Sequence, residues 1–433
     1  MVTNMIKIMQ SLYITVFLTL SALPVQAQHG MLQLKPEDEL IVEQLIKIDS
    51  TKGMDESRRK EVFNSFQAII NKLLNTKHQY IQLLKTLIDK QIALFPNERK
   101  PYIDAAKLHY NISEMDISFD MAYQSMNKKS VLYEDPSDKL LHTARTMMGQ
   151  YYNETNQFQN AHDILKPSVE SQSSPFALTY IMFANTAFNL KNYEDCVSNY
   201  SIGFSKDARQ AAPRDFFFFG VALHKLSAFE QAEMILKVGC KRFPTAEGLH
   251  LNLGYVLRTR GRMIESIFEF HAERLVCGPE SAFYIPAGEN IKITENMITE
   301  KNNDTEVIIL NNLRLWNQAM EIHEYETALE NIKTVQSRYS AYHWFLWLCM
   351  EQTYVQLQQY DKALELLNQM EINNPGLPNT YVEKVEVYTK SFDYVSALDY
   401  LKQVQQNAPD HWKVKQLIEK MKLDETTLKK LEE

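Results

Sequence analysis

Apolar residues recur in this chain on two scales. Locally they follow the spacing of a helix with one buried stripe. In Phe229 to Leu236 (FEQAEMIL) the stripe is Phe229, Ala232, Ile235 and Leu236, with Glu230, Gln231 and Glu233 between and Met234 off it. On the larger scale, a signature of an aromatic or Met residue, two others and a small residue returns seven times. The pairs are Phe158/Ala161, Tyr193/Cys196, Phe229/Ala232, Met263/Ser266, Tyr325/Ala328, Tyr360/Ala363 and Tyr394/Ala397. Successive small residues are 35, 36, 34, 62, 35 and 34 positions apart. A near-constant step of about 34 residues predicts an array of equal units, each unable to bury its own apolar face and therefore stacked on its neighbours.

Each unit reads as two antiparallel helices. A Gly or Ala on the first helix and a small residue on the second let the helices approach closely, and large residues around them fill the remaining space. Leu140 to Pro167 carries Gly149, Tyr152, Phe158, Ala161 and Leu165; Phe216 to Pro244 carries Phe219-Gly220, Phe229, Ala232 and Leu236. His250 to Pro279 has Leu253-Gly254 and Ser266, and Tyr180 to Phe204 has Phe183-Ala184, Tyr193, Cys196 and Tyr200. Trp347 to Pro375 and Tyr381 to Pro409 hold Tyr360/Ala363 and Tyr394/Ala397, but put Glu351 and Val385 in the Gly place. Trp316 takes that place in Leu310 to Tyr339. A closing Pro is expected to stop each second helix.

On these positions the chain resembles the tetratricopeptide repeat (TPR) family. The resemblance implies an all-α, right-handed superhelical solenoid of antiparallel helix pairs, with about eight units plus capping helices. Pro101 to Pro136 reads as a divergent repeat on Phe119/Ala122, 39 positions before Ala161. The long step after Ser266 holds a surplus at 280–307, with Pro286, Gly288 and a polar tip at Lys301 to Asp304. It is expected to be an insertion loop with brief extended pieces at Tyr284-Ile285 and Ile291 to Ile293. The expected organisation is a signal peptide at 1–27, an N-terminal helical region at 28–100, repeats at 101–279 and 308–410 around the insertion, and a capping helix at 411–433.

Composition narrows the function. The chain has 433 residues, a net charge of −8 and only 12 Gly and 14 Pro. Scarce helix breakers agree with an all-helical fold, and the acidic balance argues against nucleic acid as a partner. Lys7, the apolar run Ser11 to Val25 and the closing Val25-Gln26-Ala27 read as a signal peptide, so an exported protein, periplasmic or secreted, is expected, with no transmembrane span after cleavage. An uncleaved anchor helix is the alternative; Pro24 interrupts it. No Cys follows the cleavage site to carry a lipid. Cys196, Cys240, Cys277 and Cys349 are too irregularly spaced for a disulfide framework or a metal motif, although a Cys240–Cys277 bridge is conceivable.

No phosphate loop, nucleophile motif or metal-ligand spacing is present, so the expectation is a protein that is not an enzyme and needs no cofactor. The resemblance implies a concave groove lined by first helices. Candidate groove residues are Asn185, Phe188, Arg214, Phe217, His224, Lys225, Tyr255 and Arg258. With Arg260 and Arg262 they form a basic stretch suited to an acidic protein or peptide segment, or else a set of solvated side chains. The carboxylate clamp of chaperone-binding TPR proteins is not matched: Asn185 stands at one of its positions, but Phe218 replaces its second Asn. The expected function is an envelope scaffold that binds a protein or peptide. The alternative is a glycan- or nutrient-binding envelope protein, which exposed rings at Phe188, Phe217 and Tyr255 would favour.

Overall fold

The computed structural model describes residues 34–74, 80–133, 135, 138–170, 176–301, 304–339, 341–409 and 411–421. The expected signal peptide lies outside the described residues, as does the end of the expected cap. Among the described residues there are 21 α-helices and no strand; one isolated backbone bridge joins Glu98 and Lys129. The chain forms two compact units, divided between Met182 and Phe183.

The first unit holds α1 (Pro36–Ile46), α2 (Glu56–Leu74), α3 (Ile81–Leu94), α4 (Arg99–Asn111), α5 (Met115–Met126), α6 (Lys139–Glu154), α7 (Phe158–Glu170) and the start of α8 (Ala177–Asn189). The second continues α8 and adds α9 (Tyr193–Asp207), α10 (Pro213–Lys225), α11 (Phe229–Arg242), α12 (Leu249–Thr259), α13 (Met263–Cys277) and α14 (Tyr284–Lys301). It ends with α15 (Asp304–Glu321), α16 (Tyr325–Arg338), α17 (Trp344–Gln356), α18 (Tyr360–Asn373), α19 (Pro378–Lys390), α20 (Tyr394–Asn407) and α21 (Trp412–Met421).

One local device repeats in eight helix pairs. The first helix ends on a residue in the left-handed region: Ser113, Asn156, Lys191, Ser227, Gly261, His323, Gln358 and Phe392, with φ from 58° to 80°. The next residue then donates its N–H to the carbonyl five positions back, as Gln157 does to Tyr152 and Asp393 to Tyr388, at 2.7–2.9 Å throughout. This Schellman closure satisfies carbonyls that the helix end leaves open. Five positions after each left-handed residue sits the small residue, at 0% exposure in seven pairs and 3% in the eighth. The turn therefore fixes which residue of the second helix faces the first.

That register corrects the reading of the divergent repeat. Its close-approach residue is Ser118, 43 positions before Ala161, and Ala122 lies one turn further on. Ser118 Oγ donates to the Ala106 carbonyl at 2.9 Å, as Ser266 Oγ does to Gly254 at 2.8 Å. The extra length is in the connection after α5. There Glu98 accepts from the Val131 and Leu132 amides, and Arg99 donates to the Ser125 and Lys128 carbonyls. Pro244, Pro279, Pro375 and Pro409 follow helix ends as expected, but Pro167 lies inside α7, which runs on to Glu170.

The surplus at 280–307 is not a loop with extended pieces. It forms α14, which buries Ala287, Ile291, Thr294 and Ile298 on one stripe. Pro286 falls in the first turn of α14, where its missing N–H has no intrahelical partner to lose. In the second unit α13 is the hub. Eleven of its fifteen residues are buried, Glu269 and Glu273 among them, and Phe268, Phe270 and Ala272 are wholly buried. Besides α12 it packs against α14, α15 and α17. Glu269 of α13 binds His250 Nδ1 at 2.6 Å and His343 Nε2 at 3.3 Å, which ties the start of α17 to it. Burial opposes charge on Glu269, yet its two histidines hold the carboxyl well below the usual range. Trp412 of α21 donates to the Leu275 carbonyl at 3.0 Å. The same ring covers Gly278 (φ 73°), where a Cβ would lie 2.5 Å from Trp412 Cγ. All four cysteines are free thiols.

Candidate functional site

The predicted groove residues sit on α8, α10 and α12, and most are engaged by the chain itself. Asn185 is 2% exposed and its Oδ1 accepts from the Tyr200 hydroxyl. Phe188 stacks on Phe218 with centroids 4.1 Å apart, and Phe217 lies edge-on to Phe283 at 6.4 Å. Tyr255 packs edge-on against Phe270 at 5.6 Å, and its hydroxyl accepts from Asn290 Nδ2 at 3.1 Å. Arg258 donates to Asn290 Oδ1 at 2.8 Å, and burial pushes its guanidinium below the ordinary range. Helix α14 thus lies over this part of α12.

The basic stretch is largely neutralised from within. Arg260 binds Glu230 and Glu233, while Arg262 binds Glu233 at 2.5 Å and Glu265. His224 meets Thr259 Oγ1 at 3.2 Å, and burial, with Lys225 beside it, lowers its pKa. Arg214 and Lys225 are exposed. The run of four phenylalanines from Phe216 to Phe219 divides as its helical positions require: Phe216 and Phe219 are core residues, and Phe217 and Phe218 are half-buried.

A different site stands out further along the second unit. The first helices of the last two pairs, α17 and α19, together with α21 and Met320 of α15, line an open pocket of about 310 Å³. Its polar side is Glu351, Glu383, Glu386, Lys390 and Lys413; Val355, Val382 and Leu417 supply an apolar wall. Glu383 receives Lys413 Nζ at 2.7 Å. Burial pushes the Lys413 ammonium down, but the attraction of Glu383 outweighs it, and the group titrates above the ordinary Lys range.

Glu351 is the unusual member. It occupies the slot that Gly149, Gly220 and Gly254 fill in their pairs, twelve positions before Ala363. It is 1% exposed, and its Oε2 has no hydrogen-bond partner. Burial, and then repulsion from Glu383 and Glu386, raise its pKa well above the usual carboxyl value. A buried polar atom left unpaired costs about 1–3 kcal/mol. Departures of this kind from a local packing rule concentrate at functional sites.

The departure at Glu351 was visible in the sequence, as was that at Val385. What the sequence does not show is that Glu383, Glu386 and Lys413 converge on it, because Lys413 comes from α21, outside the period. Among the described residues, no group of three or more His, Cys, Asp or Glu is arranged to hold a metal ion. No helix among them is long and apolar enough to cross a membrane.

No family model matches the chain, and no curated protein matches it in sequence. The eight Schellman-closed pairs, with small residues facing across each, decide the comparison by fold. The chain resembles the tetratricopeptide repeat proteins. Solved TPR structures are among its matches. YrrB, described as a TPR protein with an unusual peptide-binding site, is 14% identical, with a TM-score of 0.39, over 47% of this chain and 97% of its own. A TPR protein from Parabacteroides merdae is 11% identical, with a TM-score of 0.32, over 74% and 97%. The TPR domain of P58(IPK) is 12% identical, with a TM-score of 0.28, over 85% and 98%.

Proposed function

We propose that this chain is a non-catalytic scaffold that binds a protein segment on the first-helix faces of its second unit. The observation that carries the reading is the pocket of α17, α19 and α21, where consecutive first helices and the last described helix present a buried carboxyl with an unpartnered oxygen. Pre-ordered helices can hold a segment there without rearranging the array. The scaffold reading also includes export to a periplasm or cell exterior, on the strength of the apolar run Ser11 to Val25 and the small residues that close it.

A photocrosslinking residue placed at Gln352 or Gln416, on the pocket rim, tests this in the native cell. Ile372, 79% exposed on the second helix of a pair, is the control position. The expected result is the same captured protein from both rim positions and none from Ile372. Capture of nothing from the rim positions, or the same proteins from all three, overturns the reading.

An acidic partner on α10 is a second reading, favoured by Arg214 and Lys225, which are exposed and have no carboxylate within ion-pair distance among the described residues. Arg214→Glu/Lys225→Glu would abolish such binding. The glycan-binding alternative draws no support from Phe188, Phe217 and Tyr255, whose rings pack on other rings of the chain.

A further inference from the structure

We infer that Cys240 is a reactive thiol, built with His250 and Glu269 into a relay that exchanges with small aliphatic disulfides and leaves Cys240 S-thiolated. The inference goes beyond the scaffold reading and does not depend on it. Cys240 is half-buried and opens onto a pocket of about 260 Å³. Helices α11 and α12 line one side of this pocket, and Tyr342, Trp344 and Leu377 the other.

The relay draws one residue from each of α11, α12 and α13. His250 Nδ1 bonds Glu269 Oε2 at 2.6 Å. The same ring is in hydrogen-bond contact with the Cys240 thiol, and with Nδ1 given to Glu269, Nε2 is the nitrogen that meets the sulfur. The Phe345 amide donates to His343 Nδ1 at 3.2 Å, so the His343 proton sits on Nε2 and goes to Glu269 Oε1 at 3.3 Å. Glu269 is thereby held from both sides, and it fixes the His250 ring against Cys240. Burial opposes charge on His250, but Cys240 and Glu269 outweigh it and raise its pKa well above the ordinary value. Burial raises the Cys240 thiol, and His250 opposes that rise. Cys196, Cys277 and Cys349 are at most 8% exposed, and among the described residues none has an imidazole as partner.

This arrangement suits thiol–disulfide exchange, in which a thiolate is the attacking species. The imidazolium of His250 stabilises the thiolate once Cys240 has released its proton to water. The Cys240 sulfur attacks one sulfur of the disulfide, so a new S–S bond forms as the old one breaks. The expelled thiolate takes the Nε2 proton of His250 and leaves as a thiol, and water restores that proton. One thiol and one disulfide become one mixed disulfide and one thiol, so no other oxidant is needed. The proton matters because an aliphatic thiolate is a basic leaving group. Acyl transfer fits less well. It needs N–H donors for an oxyanion, whereas Cys240 lies in the last turn of α11, where a helix presents carbonyls.

The test incubates the full chain with two neutral probes, hydroxyethyl disulfide and dithiodipyridine, and times the adducts by mass spectrometry of the cysteine peptides. Because both are neutral, Lys237 and Lys241, which line the same pocket, favour neither. Dithiodipyridine expels a group that needs no proton, and hydroxyethyl disulfide one that does. In the folded chain hydroxyethyl disulfide should add to Cys240 before the other three cysteines. The preference of Cys240 for dithiodipyridine should be at least about tenfold smaller in the folded chain than in urea, a modest share of what general acid catalysis supplies. His250→Gln, which has no proton to transfer, should restore the preference seen in urea, whereas a steric bias against dithiodipyridine would survive that substitution. A variant that fails to fold would expose all four cysteines alike, but the comparison with urea uses the unsubstituted chain and stands without it. The same preference folded and in urea, first addition at another cysteine, or an unchanged preference in folded His250→Gln overturns the inference.

Discussion

A pair of identical substitutions should move stability in opposite directions. Gly220 lies on the first helix of the α10–α11 pair, and a Cβ there would stand 2.5, 2.6 and 3.0 Å from Leu236 Cγ, Cδ2 and Cδ1. Carbon atoms in good contact stand about 3.5–4.0 Å apart, so Leu236 would have to give by roughly 1 Å. It cannot do so easily, because Leu236 is 0% exposed and closed in on every side. Overpacking of this kind costs about 1–3 kcal/mol, against which Ala gains up to about 1 kcal/mol of helix propensity over Gly. Gly220→Ala should therefore destabilise its pair by up to about 2 kcal/mol. Gly288 is also helical, in α14, but a Cβ there meets nothing nearer than Arg274 Nε at 3.8 Å. Only the propensity gain applies, so Gly288→Ala should stabilise by about 0.5–1 kcal/mol. Repeat arrays need not unfold in one step, so the assay is amide hydrogen exchange read locally in α10–α11 and α14. Slower exchange in α10–α11 for Gly220→Ala, or shifts of the same sign for both variants, would refute the close-packing argument.

Other outcomes follow from single positions. Phe392 is 78% exposed at φ 65°, so Phe392→Gly removes strain and little packing; it should slow exchange in α19–α20, as a gain of about 1 kcal/mol requires. Because the folded-state pKa of Glu351 lies above its unfolded value of 4.5, its contribution to stability is complete below that pH and is lost as pH rises through the folded pKa. Glu351→Gln should flatten this decline in the urea midpoint, and an unchanged slope would count against the assignment. Burial raises all four thiols, those of Cys196 and Cys277 to about 12 and that of Cys349 well above the usual value; at half-buried Cys240, which lines a separate pocket, His250 opposes the rise. An aromatic disulfide should therefore label Cys240 first in the native chain, as mass spectrometry of its peptides would show.

The repeat was legible because its causes are local. A small residue three positions after an aromatic one cannot be replaced freely when the partner helix is in van der Waals contact, so Ala161, Ala232 and Ala363 mark the period on their own. The left-handed residue before each second helix was not legible, since Lys191, Gln358 and Phe392 are not residues that favour that region. Helix α14 was missed because Pro286 and Gly288 read as breakers, whereas the buried stripe from Ala287 to Ile298 outweighs them. The basic groove was drawn from charges on single helices. Glu233 and Asn290, which engage those charges, stand on other helices and come into range only through folding. The same limit concealed the pocket, where Glu351 alone was conspicuous.

The central claim is that the second unit binds a protein segment at the pocket of α17, α19 and α21. Photocrosslinking in the native cell from Gln352 and Gln416, with Ile372 as the control position, tests it most directly. The account predicts the same captured protein from both rim positions and none from Ile372. No capture from the rim, or the same proteins from all three positions, would contradict it.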